Sequence, residues 1–311
     1  MKRNSIVLGE KHIEGSYNRI MAAGELHIDN SDIRSLYIAG ETHVNNSVIH
    51  KLRGAGEIIG ESSTFDNVRM AGSMKLHGIC RGDILAIEGE LFAELLECRI
   101  LRNGMPNDKK NLDKNNKIKV DINLSLNDNY SYKKKYLNDL NKIIHWKGTL
   151  KADTFESFYP IYLECEYEFR NIISFAYLTW SGEIVCDNFY SLDGGVCGEG
   201  INAENINIVL NDEITLQTIV GSNICICKSF QEDKLFKSIP KSANYKNSVL
   251  GNSMVSIPNI EGDRISIEYT KSDMISGVDV IIGDLCVIER VEYKNSIRIS
   301  EKSVVNEVVK L

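Results

Sequence analysis

Several features that would have named a chemistry are missing from this chain. None of its eight cysteines falls in a Cys-x-x-Cys pair, the spacing that a zinc knuckle or a redox dithiol needs. It has no Gly-x-x-x-x-Gly-Lys-Ser/Thr loop to cradle a nucleotide's phosphates. No apolar run approaches the roughly eighteen residues of a membrane span, and no signal-peptide core follows Lys2-Arg3. Net charge is −7 with 43% hydrophobic residues, so a basic bias for nucleic acid is absent and no nucleic-acid partner is expected. Asp, Arg and Lys do not gather on one face, as a polysaccharide lyase or hydrolase on a β-helix would require. These absences predict cytoplasmic residence, with thiols acting as small apolar groups in a reducing compartment. No catalytic residue, cofactor or metal is expected.

What is present is repetition. Gly24, Gly40, Gly56 and Gly72 stand 16 residues apart, and Gly89 follows 17 later. Ala precedes the first four, and Glu follows in Glu25, Glu41, Glu57 and Glu90. Aligned on that Gly, Ile28, Val44, Gly60 and Leu76 share a column. Ile33, Ile49 and Phe65 form a second column, and Leu36, Leu52, Val68 and Ile84 a third. Apolar residues in fixed columns mean stacked supersecondary units. Within a row they alternate, as in Leu26-His27-Ile28 and Met74-Lys75-Leu76, which is strand behaviour. Short polar runs such as Asn30-Ser31-Asp32 and Asn45-Asn46-Ser47 supply corners. Three short strands and three corners make one coil of a β-solenoid, each coil pairing with the next at about 4.8 Å. The expected fold is mostly β: a β-helix with coils of about 16 residues, interrupted by a polar, partly helical insertion.

Taken in order, residues 1–16 read as a tail or as a partial first coil that caps the solenoid's end, and 17–105 as regular coils. Residues 106–147 are a Lys/Asn/Asp-rich insertion with a strand-like alternation from Ile118 to Leu126. From Ser131 to Trp146, Tyr136, Leu137, Leu140, Ile143 and Ile144 recur at helical spacing and predict an amphipathic helix, either docked on the solenoid or free to bind a partner. Residues 148–311 carry the pattern again, more loosely, with a loop at 229–257 that holds a short helix at Asp233–Phe236. Phe155, Phe158, Tyr159, Tyr162, Tyr167, Phe169, Phe175, Tyr177 and Trp180 are expected to fill the core or cover a sheet face, with a sugar- or peptide-binding platform as the alternative.

Gly194-Gly195-Val196-Cys197-Gly198-Glu199-Gly200-Ile201-Asn202-Ala203-Glu204-Asn205-Ile206 resembles the final-coil motif of bactofilins, the polymer-forming bacterial cytoskeletal family. The Ala-Gly-Glu rows resemble that family's repeats, and Ile265–Tyr269, Val280–Gly283 and Arg290–Tyr293 resemble the C-terminal coils of longer members. The resemblance implies a right-handed triangular β-helix and self-assembly without nucleotide. Two departures stand out: the interruptions at 106–147 and near 229–257, and the lack of the short apolar N-terminal segment that targets some members to membranes. No targeting segment therefore supports attachment to a membrane surface.

The function expected is a cytoplasmic scaffold that self-associates through the ends of its β-helix and recruits protein partners. Leu26 at one end and Ile265 or Ile267 at the other are expected in the terminal coils, with Val304 to Leu311 closing the far end. A non-polymerising adaptor with capped ends is the alternative, and a carbohydrate-active β-helix enzyme the third reading. Glu25, Glu41, Glu57 and Glu90 are expected to stack as an outward, solvated ladder. His27 and His43 share a column one coil apart, but Ile59 and Lys75 follow, so a zinc or copper bridge lacks a third ligand there. His12, His50, His77 and His145 show no ligand spacing, and Cys225 and Cys227 share one strand face.

Overall fold

The computed structural model describes residues 3–104, 143–192, 195–210, 214–228 and 254–311, and among them every regular element is a strand. The first block holds β1 (Arg3–Leu8), β2 (Lys11–Ile33), β3 (Leu36–Asn45), β4 (Val48–Glu61), β5 (Thr64–Glu88) and β6 (Leu91–Asn103). Next come β7 (Ile144–Ser157), β8 (Ile161–Ser174), β9 (Leu178–Trp180), β10 (Glu183–Ser191), β11 (Val196–Cys197), β12 (Gly200–Val209), β13 (Ile214–Thr215) and β14 (Thr218–Cys227). The last block is β15 (Val255–Ser256), β16 (Asn259–Ile267), β17 (Thr270–Ile282), β18 (Val287–Ile299) and β19 (Val304–Lys310). All pair in parallel within one 19-stranded sheet wound into a β-solenoid of about 14 turns. The longer strands bend through corners and contribute to more than one side of the coil. The two repeat regions form one stack, because β6 pairs directly with β7 and β14 with β16.

The alternation seen in sequence is the in/out alternation of the coil wall. Ile28, Val44, Leu76, Ile33, Ile49 and Phe65 all point inward and are buried. At Gly60 the column lacks a side chain, and Phe65 and Leu76 occupy the space. The third column departs from expectation. Leu36, Leu52 and Val68 are buried, but Leu85, not Ile84, takes the next place. One extra residue at the Gly78–Cys80 corner causes the slip, and it also makes Met74 pair with Leu91, 17 residues on. Burying each such side chain contributes about 1.5–3 kcal/mol, and the stack adds them in one continuous core.

Corners are fixed by two devices. Gly40 and Gly56 have φ of 134° and 129°, and a Cβ on either would strike the carbonyl oxygen of the glycine one coil below. Only glycine allows that close stacking. At the next corner Asn30, Asn46 and Ser62 take left-handed conformations, followed by buried Ser31, Ser47 and Ser63. The Ser31 N–H donates to Ser47 Oγ at 2.9 Å and the Ser47 N–H to Ser63 Oγ at 3.1 Å. Each hydroxyl in turn donates to the carbonyl two residues back. The corner's backbone groups are thus satisfied inside the wall.

Over the described part, residues 1–16 take the coil reading and not the tail: β1 pairs with β2 as the first coil. Two placements differ from the sequence reading. The helical periodicity assigned to Ser131–Trp146 ends before Ile144, where β7 begins; Trp146 is fully buried and donates Nε1–H to the Gly89 carbonyl at 2.9 Å. The remainder of that helix, the Ile118–Leu126 alternation and the Asp233–Phe236 helix lie outside the described residues. The final-coil resemblance falls mid-stack, since β12 has β10 on one side and β14 on the other.

Candidate functional site: the ends of the stack and the faces between them

A coil inside the stack has both backbone edges paired, whereas a terminal coil has one edge open. Among the described residues β1 pairs only with β2, and β19 only with β18. At the β1 end Val7 and Ile13 point inward and are buried, while Ile6 and Leu8 project from the outer wall of the first coil, in the columns of Met21 and Ala23. At the β19 end Val305 and Val308, which continue the inward columns of Ile288 and Val291, are only partly covered, with Val308 45% exposed, while Val304 lies on the outer wall beside Val287. The residues expected at the ends sit further in. Leu26 lies in the second coil, and β16, which carries Ile265 and Ile267, is followed by β17, β18 and β19. The last coil is tied down by polar contacts: Lys302 Nζ to Asp284 Oδ2 at 2.6 Å, Arg290 to Glu307 at 3.2 Å, and Asn306 to Glu289 at 2.7 Å. Lys302 and then Ser300 hold the Asp284 carboxyl below the usual carboxylate range.

The sides are charged and paired from coil to coil. Lys75–Glu57 (2.6 Å), Arg81–Glu97 (3.1 Å), Arg99–Asp83 (2.6 Å) and Lys151–Glu168 (2.7 Å) each span one coil step. Such exposed pairs contribute only about 0.2–1 kcal/mol each, but they cover the wall with fixed charge. The glutamate ladder is shorter than expected. Glu25, Glu41 and Glu57 are in register, then Ser73 takes the position, leaving Glu90 separate. Every histidine faces a carboxylate. His50 bridges Asp32 (3.2 Å) and Asp66 (2.6 Å), His77 meets Glu94, His145 meets Glu164, and His12 meets Asp29. The sequence signal for these groupings was the coil period applied to acidic residues as well as to apolar ones.

The aromatic run builds core and corner. Phe155, Phe169 and Trp180 are buried, and Phe155 stacks on Phe169 at 5.0 Å with planes 15° apart. Phe158 and Phe175 stack at 5.1 Å on the corner outside. One face carries an amide ladder that sequence reasoning missed: Asn188 donates to Asn171 (2.6 Å), Asn205 to Asn188 (2.8 Å) and Asn223 to Asn205 (2.7 Å). A shallow cleft beside it is lined by Cys98, Lys151, Glu168, Phe169, Arg170 and Cys186. Burial pushes the Cys98 and Cys186 thiols up to about 12, so neither offers a thiolate at neutral pH. Cys225 and Cys227 do share a strand face, with sulfurs 3.8 Å apart.

Among the described residues no helix is long and apolar enough to cross a membrane. Compared with known proteins, the chain matches no family model, no curated protein and no solved structure.

Proposed function

We propose that this protein is a structural scaffold that self-associates through the ends of its β-helix without nucleotide and recruits protein partners, a role like that of the bactofilins. The observation that carries the reading is the contrast between ends and sides: strand edges left open on β1 and β19, with the inward-column Val305 and Val308 uncovered at the β19 end, against a wall of coil-spanning ion pairs. An open edge is a template for another strand, and charged rows oppose lateral pairing. Joining the β1 edge of one copy to the β19 edge of the next is a heterologous contact, which propagates into a filament when it does not close. One coil's end face is small by the standard of stable interfaces, about 800 Å² per partner, so each contact is weak and reversible. The scaffold is cytoplasmic and non-catalytic in this reading.

One observation favours the capped adaptor as a second reading. Glu307 and Lys310 are charged residues on β19 itself, and charge on an edge strand discourages pairing. Negative-stain microscopy of the purified chain over a range of concentrations separates the two. Scaffold assembly predicts filaments that lengthen with concentration and form without nucleotide, and isolated rods at every concentration select the adaptor.

A further inference from the structure

The motif Gly-Glu-x-His occurs three times at successive coils: Gly9-Glu10-Lys11-His12, Gly24-Glu25-Leu26-His27 and Gly40-Glu41-Thr42-His43. Glu and His two apart on a strand share its outer face. In-register pairing of Glu25 with Glu41 and of His27 with His43 then makes a two-by-two grid of carboxylates and imidazoles. The two imidazoles stack with centroids 4.7 Å apart and planes 16° apart, and His12 stacks below at 6.4 Å. His27 Nε2 is 2.9 Å from Glu25 Oε1, and His43 Nε2 is 2.8 Å from Glu41 Oε1. The ligand atoms of Glu25, His27 and His43 all lie within 4.8 Å of one another. The third ligand absent from the histidine column is therefore present within the strand, two residues back.

We infer that Glu25, His27 and His43 form a binding site for a zinc-class divalent ion on the outer face of the second and third coils. Two imidazoles and one carboxylate are an established zinc donor set that leaves the fourth position to water. Tetrahedral ligands at about 2.0–2.2 Å from the metal sit about 3.3 Å apart, so side-chain rotation from the observed spacing suffices. The ion takes the place of the Nε2 proton of each ring, which then carries its proton on Nδ1. Glu41 accepts a hydrogen bond from the metal-bound water or replaces that water. Charge points the same way. Among the described residues neither Glu25 nor Glu41 is ion-paired with a Lys or Arg, whereas Glu57, one coil further, is neutralised by Lys75. The grid ends where that lysine enters and where Ile59 follows His43 in the column.

The test is isothermal titration of the untagged full chain with zinc chloride, with cobalt(II) absorption as a second readout of inner-sphere geometry. The wild type is expected to bind about one ion per chain and to give a tetrahedral cobalt spectrum. His27→Ala with His43→Ala should lose at least about tenfold in affinity, and Glu25→Gln should weaken binding in the same direction. His145→Ala, which removes a histidine paired with a carboxylate but with no second imidazole stacked on it, should change nothing. All four side chains are partly exposed, so the variants are expected to melt like the wild type. Equal binding by the wild type and the double variant, or an equal loss in His145→Ala, overturns the site.

Discussion

Between Ile20 and Leu101 successive coils take 16 or 17 residues, whereas from Phe155 onward they take between 15 and 18 and once span 41. The two regions hold the same wall with largely different devices, though Gly262 also stacks on the Gly221 carbonyl in the second. In the first, glycines stacked on glycine carbonyls and serines stacked on serine hydroxyls fix the corners, and a strict period follows. In the second, stacked rings in the core and an asparagine ladder on one face set the register, and corner lengths vary. Parallel strand pairing is common to both. The lesson is that the sequence period marks how corners are built, while the fold depends on the inward columns.

The sharpest way to break that comparison is to charge the shared element. Ile49 and Ile226 are fully buried in the first and second regions. Asp at either leaves an unpaired charge among apolar neighbours and should cost about 4–5 kcal/mol or more, enough to unfold the affected coils. Chemical denaturation followed by circular dichroism checks it. A normal melt for only one of the pair would mean that the regions do not share a common core.

Next in size is the corner glycine. Gly56→Ala places a methyl on the Gly40 carbonyl at a positive φ and should cost about 3 kcal/mol. Gly182 also has a positive φ, 76°, but nothing lies within 4 Å of its Cβ position, so Gly182→Ala should cost only about 1 kcal/mol. Equal losses would show that backbone strain, and not the stacked contact, makes the first-region corners strict.

The smallest expected difference separates the polar ladders. Ser47→Ala strips the acceptor from the buried Ser31 N–H and should cost about 2 kcal/mol. Asn205→Ala breaks two amide bonds on a half-buried face and should cost about 1 kcal/mol, since water reaches the freed groups. Urea midpoints of the two variants decide the order, and the reverse order would make the asparagine ladder the stronger clamp.

Much of the fold was legible because repetition tests itself: a column right in one row is right in the next, as Ile33, Ile49 and Phe65 are. What escaped was local to single rows. Ile84 lost its column to Leu85 because one added residue at Gly78–Cys80 shifts everything after it by one, and period two turns that shift into an exchange of faces. Trp146 completed a helical pattern in sequence, yet its indole is claimed by the Gly89 carbonyl and the core, a tertiary demand that outweighs periodicity. Glu90 looked like a rung above Glu57 until Ser73 took the coil between them. The candidate sites were legible only in part. Val304 to Leu311 was read as closing the far end, where β19 lies, but a terminal coil is terminal by topology, and apolar alternation alone placed Ile265 and Ile267 in one although three strands follow β16. His27 and His43 were visible as a column, but a ligand set also needs neighbours along the strand, and Glu25 was two residues away throughout.

Assembly through the ends is the central claim, and sedimentation velocity on folded end variants tests it most directly. Leu8→Asp and Val308→Asp put charge on the edge strands β1 and β19, Leu8 on the outer wall of its coil and Val308 at the open end of the inward column over Val291, while Lys75→Ala changes only the side wall. The account predicts concentration-dependent assembly for the wild type and for Lys75→Ala, and a single slow species for either end variant. Assemblies that persist in both end variants, or a wild type that stays monomeric at high concentration, would contradict it.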